Sequence, residues 1–130
     1  MFDMKNKTSD DPNNGSLFID YKGRAVRTFR VNGVYVIDER VYDSQRLYIP
    51  SDLQREGPNT IEIMFESEFV TDCAGIHYFK DVDGSEYCYS ELEPANAHNW
   101  FPCFDQPDLK APYRLLVFAP EEWKVISTCR

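Results

Sequence analysis

Short runs of β-branched and aromatic residues, separated by residues that favour turns, constrain the fold of this chain most strongly. Residues 24–38, RAVRTFRVNGVYVID, place Asn32-Gly33 between two such runs. Asn-Gly is favoured in a type I′ turn, because both central residues of that turn take positive φ angles. The segment therefore predicts a β-hairpin.

The same pattern predicts further strands and one helical turn. In residues 61–66, IEIMFE, apolar side chains recur at every second position, which indicates a half-buried strand. A short helical turn is predicted near residues 94–100, because Pro94 is tolerated at a first helical position and Pro102 ends the segment. The other predicted strands are LFIDY (17–21), RLYIP (46–50), two strands around DVDG within 73–92, YRLLVFAP (113–120) and WKVIST (123–128).

These elements predict an all-β fold of eight or nine short strands in curved antiparallel sheets of the sandwich type. A chain of 130 residues forms one domain and is long enough to bury a core. Residues 1–16 are predicted to be a polar mobile segment or the remnant of a strand. Residues 17–130 are predicted to form the β domain.

Charge and cysteine use limit the partners and the compartment. The net charge of −8 argues against nucleic acid, whose phosphates attract clustered Lys and Arg. No run approaches the roughly 18 apolar residues of a membrane span, so we expect none. The four cysteines form no C-x-x-C pair, which favours free thiols in a reducing, cytoplasmic compartment.

Common catalytic and metal-binding motifs are missing from the sequence. The only histidines are His77 and His98, without H-E-x-x-H or another zinc spacing, so we expect no metal ligand and no catalytic residue. The DVDG segment at 81–84 lacks the remaining calcium ligands and predicts a β-turn. Cys103 follows His98 closely, but its FPCF surroundings predict a buried, inert thiol.

Glu91 and Glu93 stand two residues apart in the segment SELEP. On a strand their side chains point to the same face. Two neighbouring carboxylates repel each other unless a cation lies close to them. Two interpretations stay open: solvated glutamates on an exposed strand edge, or a pocket that accepts a cation such as the ammonium group of a ligand.

Residues 89–120, YSELEPANAHNWFPCFDQPDLKAPYRLLVFAP, closely resemble a signature of the zinc aminopeptidases of the aminopeptidase N family. The matching positions are Glu93-Pro94, Ala97-His98, the FPCFDQP run at 101–107 and Lys110-Ala111. The upstream segments LFIDYKG, VNG, GPNTIEIMFES and GIHYFKDVDGSEYCYS resemble the same family, so the resemblance covers residues 17–128.

The resemblance implies a saddle-like antiparallel β domain that covers a catalytic domain. It also implies that Glu93 binds the free α-amino group of a peptide N-terminus. Glu91 stands where the family has a glutamine that lines the pocket for the first side chain. An acid at this position favours a basic first residue.

The resemblance further implies a zinc cofactor in the complete enzyme but none in this chain. The family's H-E-x-x-H motif is missing here, so the chain alone is expected to be inactive. The β domain is also expected to be incomplete at its start, which implies a catalytic domain or a partner chain that completes the sheet. The alternative is a non-catalytic structural or interaction subunit derived from the family.

Overall fold

The structure, a computed structural model, describes residues 17–128. The segment 1–16, predicted to be mobile or a strand remnant, lies outside the described residues. Within them are seven strands and three short 3₁₀ turns. The strands are β1 Phe18–Asp20, β2 Ala25–Val31, β3 Val34–Tyr35, β4 Arg46–Tyr48, β5 Ile61–Glu66, β6 Gly75–Lys80 and β7 Glu86–Glu91, and the 3₁₀ turns are Glu39–Val41, Ser51–Leu53 and Ala97–Asn99.

All strand pairs within the sheets are antiparallel. Strands β3, β2 and β5 form one sheet in that order, and β1–β4 and β6–β7 form two further pairs. The prediction of an all-β fold with a helical turn between residues 94 and 100 is confirmed. The other two 3₁₀ turns were not predicted. No helix among residues 17–128 is long and apolar enough to cross a membrane.

The predicted hairpin is confirmed at β2–β3. Asn32 has φ 51° and Gly33 has φ 86°, as a type I′ turn requires. The Asn32 side chain also donates to the backbone carbonyl of Leu53 at 2.7 Å. The turn is therefore fixed both by its own backbone and by the neighbouring loop.

The hydrophobic core lies between the β1–β4 pair and the β2–β5 sheet. On β5, Ile61, Ile63 and Phe65 pack against it, which confirms the half-buried strand predicted from their spacing. The buried members of the core are Ile19, Tyr21, Phe29, Val31, Leu47 and Ile49.

Tyr21 connects the core to the far end of β5. Its hydroxyl donates to the Glu66 carbonyl at 2.5 Å and lies 3.2 Å from the hydroxyl of Ser67. Burial raises the pKa of Tyr21, so the hydroxyl keeps its proton for these contacts. The end of β1 is thereby held beside the connection from β5 to β6.

The prediction of the last two strands is wrong. Residues 113–120 and 123–128 belong to no strand of the described chain. Their side chains are largely exposed, with Leu116 77%, Phe118 90% and Ile126 92% accessible. An alternating apolar sequence favours extended backbone, but a strand also needs a neighbour for its N–H and C=O groups. No described segment supplies that neighbour, so the strands number seven rather than eight or nine.

Candidate functional site

The candidate site is the irregular segment 92–107, which follows β7. Strand β7 ends at Glu91. The backbone N–H of Asn96 donates to the Leu92 carbonyl at 2.9 Å, and the Asn96 side chain donates to the Glu93 carbonyl at 2.9 Å. Glu93 therefore lies at the start of a tight turn that Asn96 closes.

This geometry corrects two details of the sequence interpretation. Glu91 and Glu93 do not share a strand, because β7 ends at Glu91. Pro94 follows Glu93 through a cis peptide bond and has no N–H to donate to a strand ladder. The 3₁₀ turn begins at Ala97, so Pro94 precedes the first helical residue by three positions.

Backbone hydrogen bonds attach the candidate segment to β1. Asp20 and Cys103 exchange both bonds of an antiparallel bridge, at 2.9 and 3.0 Å. The Lys22 N–H donates to the His98 carbonyl at 2.8 Å. The middle of the segment thus extends the β1–β4 pair on the side opposite β4.

A second group of contacts attaches the segment to the connection before β6. The Ser67 hydroxyl donates to the Trp100 carbonyl at 2.5 Å, and the Asn99 side chain donates to the Ala74 carbonyl at 3.1 Å. Gly75 has φ 134°, and a Cβ at this position would lie 3.2 Å from the Cβ of Asn99. Glycine lets the two backbones approach this closely.

A His98–Asp105 pair closes the segment on itself. Asp105 Oδ2 lies 2.6 Å from His98 Nδ1 and also accepts the His98 backbone N–H at 3.1 Å. The two side chains are 25% and 12% exposed. Sequence reasoning missed this pair because it considered His98 only with Cys103. The seven-residue spacing within one irregular loop was the available signal.

We expect Asp105→Ala to lower the free energy of unfolding by about 1.5–3 kcal/mol, because it removes an acceptor of two hydrogen bonds from a mostly buried site. Chemical denaturation of the 130-residue chain measures this difference. Asp108→Ala is the matched control, because Asp108 lies directly after the candidate segment and is exposed. Equal stabilities of the two variants would contradict a structural role for the pair.

The two predicted site residues are close in sequence but differ in setting. Glu91 lies opposite Gly75 in the β6–β7 ladder, whereas Glu93 lies beyond the ladder. Both side chains are exposed. Within residues 17–128, no hydrogen bond or ion pair is formed by the Glu93 carboxylate. A carboxylate that is exposed on a well-anchored turn can accept an ammonium group without first breaking an internal contact.

The thiol of Cys103 is not a nucleophile in this arrangement. Burial raises its pKa to about 12, and the carboxylates of Asp105 and Asp20 act in the same direction. The thiolate is the reactive form, so this thiol is inert near neutral pH. Cys103 is half-buried rather than fully buried, and its raised pKa agrees with the predicted low reactivity.

The remaining sequence motifs are the DVDG segment and the two histidines. The DVDG segment forms the predicted turn, in which the Gly84 N–H donates to the Asp81 carbonyl at 3.0 Å. His77 lies on β6 and His98 lies in the 3₁₀ turn. Across the described range 17–128, no three His, Cys, Asp or Glu side chains are grouped so that they could hold a metal ion.

Comparison with known protein families identifies the family of this all-β domain. The model of the Peptidase M1 N-terminal domain matches residues 25–130. The chain is therefore a member of the Peptidase M1 N-terminal domain family.

Several named aminopeptidases are similar to the chain. Aminopeptidase N of Streptomyces lividans is 34% identical over 87% of this chain and 13% of its own length. Leucine aminopeptidase 2 of Candida albicans is 30% identical over 92% of the chain and 19% of its own length. A probable M1 family aminopeptidase 1 of Encephalitozoon cuniculi is 30% identical over 81% of this chain and 12% of its own length. The chain thus spans less than a fifth of the length of these relatives.

Proposed function

We propose that this chain is the substrate-anchoring N-terminal domain of a metalloaminopeptidase, and that Glu93 binds the α-ammonium group of the peptide. The observation that carries the proposal is that the Glu93 carboxylate is exposed. The turn on which it lies leads into a segment that is hydrogen-bonded to β1 and to the loop before β6. Such anchoring fixes the backbone that carries the carboxylate before substrate arrives, which lowers the entropic cost of binding.

The catalytic domain is the proposed partner. It would supply the zinc of the family enzymes, which polarises the scissile carbonyl and activates water. This chain would supply the carboxylate that fixes the peptide N-terminus relative to that reaction. A charge-assisted hydrogen bond of this kind contributes about 1.5–3 kcal/mol when water is excluded.

The Glu91 side chain is proposed to set the preference for the first residue of the peptide. For these tests, the full-length polypeptide means a polypeptide that joins this domain to the proposed catalytic domain. In it, we expect Glu91→Gln to shift the ratio of kcat/KM values away from Lys and Arg and toward neutral residues by about fivefold to tenfold, because one carboxylate near the proposed pocket is lost. Steady-state kinetics on lysyl, arginyl, leucyl and alanyl anilides measures the shift. An unchanged ratio would place Glu91 outside the pocket.

A reducing, cytoplasmic compartment is proposed for the protein. The support is chemical: Cys73, Cys88 and Cys103 are free thiols in the described chain. Disulfides are common where the environment is oxidising.

The test compares the full-length polypeptide with the 130-residue chain on one peptide in two forms. We expect the full-length polypeptide to release the first residue of the peptide with a free α-amine and not of its N-acetylated form. The chain alone is expected to release neither. Hydrolysis of both forms by the full-length polypeptide would contradict amine anchoring. A folded full-length polypeptide that cleaves neither form would instead support the non-catalytic subunit.

A further inference from the structure

A cysteine, a histidine and a tyrosine lie close together on one face of the β6–β7 hairpin. None of the three belongs to the turn that carries Glu93. The Sγ atom of Cys73 lies 3.7 Å from Nδ1 of His77 and 3.7 Å from the hydroxyl oxygen of Tyr89. His77 and Tyr89 are register partners, and their ring centroids are 5.0 Å apart. The cluster therefore joins a thiol to a base and to a hydroxyl donor.

The members of this cluster differ in exposure in a way that suits covalent chemistry. His77 is buried, with 9% of its surface accessible, whereas Cys73 is exposed. Cys73 has φ 61° in the loop before β6. Asp72 Oδ1 accepts the Ala74 N–H at 3.2 Å, and the Ala74 carbonyl accepts the Asn99 side chain at 3.1 Å. The loop is thus held so that Sγ faces both the buried imidazole and the solvent.

We propose that Cys73 is a covalent modification site for small neutral or cationic electrophiles, with His77 as the base. In the reaction the Sγ–H proton passes to Nδ1 of His77, and Sγ forms a bond to the electrophilic carbon. The bond from that carbon to its leaving group breaks, and the leaving group departs with the electron pair. The imidazolium then returns its proton to water. This arrangement is that of a thiol nucleophile beside a general base.

Tyr89 supports the reaction by donating its hydroxyl hydrogen to the sulfur as negative charge develops there. The hydrogen bond with Cys73 raises the pKa of Tyr89, and partial desolvation and the nearby Glu91 carboxylate act in the same direction. The tyrosine therefore keeps the hydrogen that it donates. The neighbouring carboxylates of Asp72 and Glu91, in a chain of net charge −8, disfavour anionic reagents.

Two other cysteines serve as internal controls. Burial raises the pKa of Cys88, and burial together with two carboxylates raises that of Cys103 to about 12. Among the described residues, neither thiol forms a hydrogen bond with a histidine. Both thiols should therefore react slowly in the same molecule in which Cys73 reacts quickly.

The experiment measures alkylation of each cysteine of the 130-residue chain at pH 7.0 by quenching, digestion and peptide mass spectrometry. The probes are iodoacetamide, which is neutral, and iodoacetate, which is anionic and has the same leaving group. We expect Cys73 to react with iodoacetamide at least about tenfold faster than Cys88 or Cys103. The preference for iodoacetamide over iodoacetate should exceed that of a blocked cysteine amide. A Cys73 rate equal to that of Cys88 would overturn the proposal.

Variants separate the base from simple exposure. His77→Asn is expected to slow Cys73 alkylation by about tenfold or more, and Tyr89→Phe by a smaller factor, while the Cys88 rate stays constant. Unfolding of the His77 variant would be visible as faster alkylation of Cys88 and Cys103. In that event the proposal is tested by the rate of Cys73 alkylation in the Tyr89→Phe variant and by the order of the cysteine alkylation rates in the unsubstituted chain. An unchanged Cys73 rate in a folded His77→Asn chain would refute the role of His77.

Discussion

Replacing Leu47 with alanine is expected to lower the free energy of unfolding by about 2–5 kcal/mol. Leu47 is fully buried in β4 and pairs with Ile19 across the β1–β4 ladder. It lies in the cluster that joins this pair to the β2–β5 sheet. Alanine would leave a cavity that the surrounding strands cannot fill, because their backbones are fixed by the ladders. Urea denaturation of the 130-residue chain measures the change.

The same chemical change at Leu116 is the matched control. Leu116 is 77% exposed and lies after the candidate site in a segment that belongs to no described strand. We expect Leu116→Ala to change the free energy of unfolding by no more than about 0.5 kcal/mol. Equal effects at the two leucines would show that the core does not lie where β1, β2, β4 and β5 meet.

The second large effect is expected at Glu93 in the full-length polypeptide. Glu93→Ala should lower kcat/KM for substrates with a free α-amine by roughly 10- to 150-fold, because it would remove the proposed charge-assisted hydrogen bond to the substrate amine. Glu93→Gln should cost less, since the amide oxygen can still accept a hydrogen bond. Steady-state kinetics on an amino-acid anilide measures both variants.

Glu56→Ala is a suitable control for this experiment. Glu56 is an exposed glutamate in the loop before β5 and lies far along the chain from the candidate segment. We expect its substitution to leave kcat/KM within about twofold, as is usual for exposed positions away from special features. A Glu93→Ala enzyme as active as the Glu56→Ala enzyme would exclude the anchor role.

Local sequence chemistry was sufficient to predict much of the fold. The hairpin followed from Asn32-Gly33, because few residue pairs adopt two positive φ angles. The half-buried strand β5 followed from the spacing of Ile61, Ile63 and Phe65. In both cases the decisive interactions connect residues that are adjacent or two apart, so the sequence itself contains the signal.

Features that depend on distant partners were not predictable in this way. Residues 113–120 have the composition of a strand, but a strand needs a neighbouring segment, which their own sequence does not specify. The β7 strand ends before Glu93 because Pro94 and the Asn96–Leu92 hydrogen bond redirect the chain. A prediction from the two-residue period alone therefore placed the end of this strand too far along the chain.

The binding roles of the two residues singled out from the sequence stay predictions. The family signature pointed to Glu93 and Glu91, and both lie at the boundary between β7 and the anchored segment. The His98–Asp105 pair was missed, because its two members belong to an irregular loop without a helical or strand period. The Cys73–His77–Tyr89 cluster was also missed. It arises from the register of β6 with β7 and from the shape of the preceding loop.

The amine-anchor role of Glu93 is tested most directly with two inhibitors of the full-length polypeptide. One is an amino-acid hydroxamate, and the other is its des-amino analogue, in which hydrogen replaces the α-amino group. Glu93→Gln should raise the inhibition constant of the amino-acid hydroxamate by about tenfold and that of the des-amino analogue by no more than about twofold. Equal weakening of both inhibitors would contradict the role, because it would show that Glu93 acts on the site as a whole rather than on the amine.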